Sequence, residues 1–67
     1  MTSFWEIVEN RRKILAISRA EMARRAGISE STVTYGLKRG TRPIPSVRRQ
    51  VERVLSEEEQ SQAGEVA

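Results

Sequence analysis

Residues 18–42 read SRAEMARRAGISESTVTYGLKRGTR, and this stretch decides the fold. Ser18 and Glu21 have the spacing of a capping box, in which the serine hydroxyl accepts a backbone N–H at the start of a helix. Met22, Ala23 and Ala26 then form a narrow apolar stripe, which predicts a short helix over about 19–26. Alanines on the buried side let another helix backbone come close. Gly27 ends this helix, because glycine takes the left-handed conformation without a Cβ penalty, and Ile28 plugs the corner from inside. Ser29 is the natural N-cap of the next helix, over about 30–39, with Val33 and Leu37 facing inward. Glu30, Ser31, Thr34, Tyr35 and Lys38 are left outside. The β-branched run Thr32-Val33-Thr34 and the flexible Gly36 make this helix intrinsically weak, so its order depends on packing. Gly40 closes it, and Arg42-Pro43-Ile44-Pro45 forms a stiff extended connection.

Outside this stretch the chain supplies two more helices. Ser3 with Glu6 repeats the capping-box spacing, and a helix from Phe4 to about Ala16 follows, with Phe4, Val8 and Leu15 on its apolar side and Ile7 and Ile14 beside them. Glu6, Glu9, Asn10, Arg11 and Lys13 fill the opposite side. Trp5 fits either the edge of the core or an exposed anchor for a second subunit, and the core is favoured because large aromatics are mostly buried. Pro45 or Ser46 opens a fourth helix, in which Val47, Val51, Val54 and Leu55 follow the pattern of a core stripe. After Ser56 the segment EEEQSQAGEVA has little to bury, so 57–67 is expected to be a disordered acidic tail behind a 1–56 domain.

Composition narrows the function. The chain has 67 residues, and a domain of this size buries only about 60% of its unfolded surface, so the core must be small. Cysteine and histidine are absent, which removes a disulfide framework and an ordinary zinc site. With no aspartate either, no Gly-rich phosphate loop and no carboxylate pair set in an apolar pocket, an enzyme is not expected, and neither is a cofactor or metal. No small-molecule ligand is expected in so small a core. No apolar run approaches the roughly 18 residues of a membrane span, and the N-terminus lacks the layout of a secretory signal, so a cytoplasmic protein without a membrane partner is the expectation. Residues 1–56 hold all twelve basic side chains against five acidic ones, a net +7. That balance suits an anionic partner.

Several features of the chain resemble the lambda-repressor-like (XRE/Cro-type) helix-turn-helix family. They are Arg12 late in the first helix, Ser18 as cap, Met22-Ala23 with Gly27 four residues on, Ile28-Ser29, Val33, and the closing Lys38-Arg39-Gly40 with a proline soon after. The resemblance spans about residues 4–55. It implies an all-α domain of four, or at most five, helices whose third is a recognition helix, and a sequence-specific regulator of transcription that binds double-stranded DNA. Family members often carry a glutamate late in helix three that pairs with the helix-one arginine. Here Gly36 and Leu37 stand near that position, which leaves Arg12 to solvent or phosphate.

In such a module the first residues of the recognition helix enter the major groove, where each base pair has a distinct donor and acceptor pattern. Glu30, Ser31, Thr34 and Tyr35 are the candidates for base edges. Glu30 suits a cytosine amino group or simply complements the positive helix N-terminus; Ser31 reads a base or serves the helix start. Arg19, Ser29, Thr32, Lys38, Arg39 and Arg42 are the candidates for phosphates, which set register and affinity without reading sequence. Arg48, Arg49 and Arg53 fall on a solvated face of helix four or touch flanking phosphates. One module reads few base pairs, so a homodimer on a palindromic operator is expected, with half-site centres about 34 Å apart. The alternative is a protein-interaction adaptor or an excisionase-like accessory protein that uses Phe4, Trp5 and the acidic tail.

Overall fold

Three of the four helices begin where a serine hydroxyl takes over a free backbone N–H. The computed structural model describes residues 3–64 and places α1 at Phe4–Leu15, α2 at Arg19–Ala26, α3 at Glu30–Arg39 and α4 at Pro45–Gly64. The Oγ of Ser3, Ser18 and Ser29 accepts from the backbone N–H of Glu6, Glu21 and Thr32, at 3.2, 3.0 and 3.3 Å. α4 opens on Pro45, whose missing N–H is no loss at a first helical position. The fold is an all-α four-helix bundle, with no strand among the described residues.

The ends of α1 and α2 are alike. Ala16 and Gly27 adopt the left-handed conformation, at φ 61° and 73°, and the next residue donates back five positions, Ile17 N–H to Arg12 O and Ile28 N–H to Ala23 O. Both isoleucines then turn inward against the core. This is the Schellman stop, in which a hydrophobic residue just past the helix folds back over its last turn. At Ala16 the backbone adopts the left-handed form despite a Cβ.

α4 packs across α1 and α2, and α3 packs against the same two helices. Between them lie Val8 and Leu15 of α1, Met22, Ala23 and Ala26 of α2, Val33 of α3, and Val51, Val54 and Leu55 of α4, all buried. Trp5 is also inside, 1% exposed, with Phe4 edge-on to its ring at 5.1 Å. The room for it comes from α3. A Cβ built on Gly36 would overlap the indole Nε1 and Cδ1 of Trp5 and lie 2.7 Å from its Cε2. Gly36, expected only to loosen α3, is the seat of the largest buried side chain.

Three expectations are corrected. Ile7 and Ile14 do not join the core; Ile14 is 82% exposed, because α1 turns the Trp5–Val8–Leu15 side inward instead. Glu9, expected on the wet face, is 8% exposed. The third concerns the tail. α4 does not fray after Ser56 but continues through Glu57, Glu58 and Glu59 to Gly64. Its second half is fixed by polar contacts to α1 and α2: Arg11 with Glu59, Arg25 with Glu58, and the Gln62 side-chain amide donating to the Leu15 carbonyl at 2.8 Å. The remainder of the expected tail, 65–67, lies outside the described residues. No helix of the described residues is long and apolar enough to cross a membrane.

Candidate functional site

The outer face of α3 follows from its inner one. Val33 and Gly36 are buried and Leu37 is half-buried, so the helical period leaves Glu30, Ser31, Thr34, Tyr35, Lys38 and Arg39 in solvent. Ser29 and Thr32 are exposed at the same end. Their hydroxyls lie 2.9 Å apart, and Ser29 Oγ is 3.1 Å from Ser31 Oγ. Thr34 Oγ1 donates to the Glu30 carbonyl at 3.3 Å, a local bond one turn back along α3. The Arg39 guanidinium lies over the Tyr35 ring, 5.0 Å from its centroid, which fixes both side chains on one face.

Beside this face lie the connection after α3 and the first turn of α4. Ser31, Thr32 and Tyr35 on one side and Thr41, Arg42 and Ile44 on the other line an open groove of about 490 Å³, with Trp5 at its floor. The four residues assigned to base edges thus share one exposed surface. Of those assigned to phosphates, Ser29, Thr32, Lys38, Arg39 and Arg42 border the same surface.

Arg19 is the exception. It lies at the start of α2, and its guanidinium is held by Glu9 at 2.7 Å. Arg12 meets the same carboxylate at 2.7 Å and donates to the Ile17 carbonyl at 2.8 Å. Arg12 is therefore not left to solvent or phosphate, as the replacement of the late helix-three glutamate had suggested, because Glu9 takes that partner's place from one turn earlier in α1. The hydrogen bonds from Arg12, and then those from Arg19, hold the Glu9 carboxyl down at about 2, against an ordinary value of 4.5 and against the opposing effect of burial.

Ion pairing sorts the remaining cations. Among the described residues, Arg11, Arg12, Arg19, Arg24 and Arg25 each meet a glutamate at 2.6–2.8 Å, and Arg53 lies 4.0 Å from Glu57. Lys13, Lys38, Arg39, Arg42, Arg48 and Arg49 have no such partner among the described residues. Five of these six fall between residues 38 and 49, at the end of α3, in the connection and on the first turns of α4. The unneutralised charge is thus concentrated in residues 38–49, an edge whose Arg39 lies over Tyr35 and whose Arg42 lines the α3 groove, while the Arg48 guanidinium lies 5.9 Å from the centroid of the Phe4 ring. Sequence position alone does not separate the pair Arg48 and Arg49 from the pair Arg24 and Arg25: Arg24 meets Glu21 one turn earlier in α2, whereas Arg25 meets Glu58 far along the chain.

No family model matches this chain, and no curated protein or solved structure matches it either.

Proposed function

We propose that the chain is a sequence-specific double-stranded DNA-binding regulator of transcription, a small repressor of the Cro type, with α3 as its recognition helix. The observation that carries this reading is the segregation of charge. Cations elsewhere among the described residues, Lys13 apart, are matched by glutamates, whereas Lys38, Arg39, Arg42, Arg48 and Arg49 are not, and Arg39 and Arg42 adjoin the face that offers hydroxyls and an aromatic ring. Lysine and arginine along such an edge suit phosphates, and Ser31, Thr34, Tyr35 and Glu30 suit base edges in the groove between. The lambda-repressor-like resemblance of about residues 4–55 supports the same assignment. A second copy on a symmetric site would double the few base pairs that one α3 can read.

Several of the groups that an adaptor would use have partners within the fold, although the Glu57 side chain is 57% exposed. Trp5 is in the core with Phe4 against it, and Glu58 and Glu59 are paired with Arg25 and Arg11.

Selection of bound sequences from random duplexes tests the reading, with enrichment of a palindrome as the expected result. The same duplex then tests the edge. Arg39→Ala with Arg42→Ala is expected to reduce the salt dependence of binding by about 1.8 in log–log slope, corresponding to a loss of about 60-fold in affinity at 0.1 M salt. Unchanged affinity and slope, by fluorescence anisotropy across a salt series, would sink the phosphate assignment.

A further inference from the structure

The second half of α4 is held to the bundle in an unusual way. The buried apolar residues of α4 end at Leu55, and the turns beyond it contribute no buried side chain. What faces α1 and α2 there is carboxylate. Arg11 donates from Nε and Nη2 to the two oxygens of Glu59 at 2.9 and 2.8 Å, and from Nη1 to Glu52 at 2.8 Å. Arg25 donates to Glu58 at 2.7 Å. These groups are partly exposed, with side-chain accessibilities between 21% and 43%. These pairs fasten the second half of α4 and at the same time neutralise Arg11 and Arg25.

Their geometry suggests another role. The two-pronged grip of Arg11 on Glu59 is the arrangement by which a guanidinium holds a phosphate. We propose that Glu52, Glu58 and Glu59 act as internal stand-ins for phosphate, occupying Arg11 and Arg25 so that nucleic acid is confined to the 38–49 edge. The inference rests on the DNA-binding reading and adds a determinant of specificity to it. Without these carboxylates, α1 and α2 would present a second cationic surface away from α3. Duplex held there would be bound by its backbone alone, in orientations that read no sequence, and the preference for a cognate site over bulk DNA would fall.

Neighbouring glutamates provide the test, because they allow the charge change to be matched. Glu58→Gln frees Arg25, whereas Glu57→Gln changes the net charge equally and disturbs only the 4.0 Å approach to Arg53. Binding of a non-cognate duplex is measured by anisotropy over a salt series after circular dichroism has shown each variant to be folded. Glu58→Gln is expected to steepen the salt slope by about 0.9 relative to Glu57→Gln, which corresponds to about eightfold tighter non-cognate binding at 0.1 M salt. A second comparison sets Glu52→Gln with Glu59→Gln, which frees Arg11, against Glu6→Gln with Glu57→Gln, and decides the matter if Glu58→Gln does not fold. Coincident slopes within the matched sets overturn the inference while leaving the DNA reading intact. Failure of the unaltered protein to bind any duplex overturns both.

Discussion

Replacing Trp5 with alanine is expected to remove about 3–5 kcal/mol of stability, the usual cost of emptying an aromatic site in a core. A chain of this length has roughly 3–10 kcal/mol in total, so the variant should be largely unfolded or close to it. Gly36 makes the prediction more specific. On an exposed helix Gly→Ala gains about 1 kcal/mol, but here the new methyl meets the indole ring, which is 1% exposed and has nowhere to swing. Overpacking of this kind costs about 1–3 kcal/mol or more, so Gly36→Ala should be net destabilising in the native sequence. In the Trp5→Ala background the overlap vanishes, and the same substitution should be neutral or stabilising. Denaturant titration of the four proteins in the cycle, in an osmolyte such as sucrose that restores a folded baseline to the Trp5→Ala pair, checks this; a Gly36→Ala effect of the same sign in both backgrounds would show that the ring does not occupy that seat.

The second large effect centres on Glu9. Its carboxylate joins Arg12 and Arg19 at the corner between α1 and α2, and the Glu9 and Arg12 side chains are only 10% and 14% exposed. Glu9→Ala leaves the Arg12 guanidinium sequestered with the Ile17 carbonyl as its remaining partner, and a loss of about 3 kcal/mol at neutral pH is expected. The pH dependence has a definite sign. Arg12 and Arg19 depress the folded-state carboxyl to about 2, so its contribution is complete above the ordinary value of 4.5. As the pH falls from about 4.5 towards about 2, the unfolded chain takes up a proton that the folded one resists, and about 3 kcal/mol is lost over that window. Glu9→Gln should start less stable and show a much flatter acid limb. Stability profiles that run parallel from pH 5 downward would exclude Glu9 as the main acid-sensitive group.

The boundaries of α2 and α3 were legible residue for residue because their signals are local. Ser18 and Gly27, and Ser29 and Gly40, lie within one turn of the backbone groups they satisfy. The exposed face of α3 was legible for the same reason, as the complement of Val33 and Leu37. What escaped depends on partners distant in sequence. Glu9 reads as a solvated charge until Arg19, ten residues on, is brought to it. The continuation of α4 is invisible in EEEQSQAG, since Glu59 and Glu58 find their arginines 48 and 33 residues away. Gly36 reads as a weak helix former because the ring that needs its bare backbone is carried by α1, two helices earlier in the chain. The same limit hid part of the charge edge: Arg12 and Arg24 have glutamates one turn away, but the glutamates that neutralise Arg11 and Arg25 come from α4.

The composition of α4 has a consequence for its dynamics. One continuous helix carries two kinds of anchorage, apolar up to Leu55 and polar beyond it. Backbone amides around Val51–Leu55 can lose their protection only when the core opens, whereas those of 58–64 need only the release of a few ion pairs and the Gln62 bond. Hydrogen exchange should therefore divide α4 into a slow half and a fast half, and rising salt, which weakens half-exposed ion pairs, should widen the gap by speeding the second half alone.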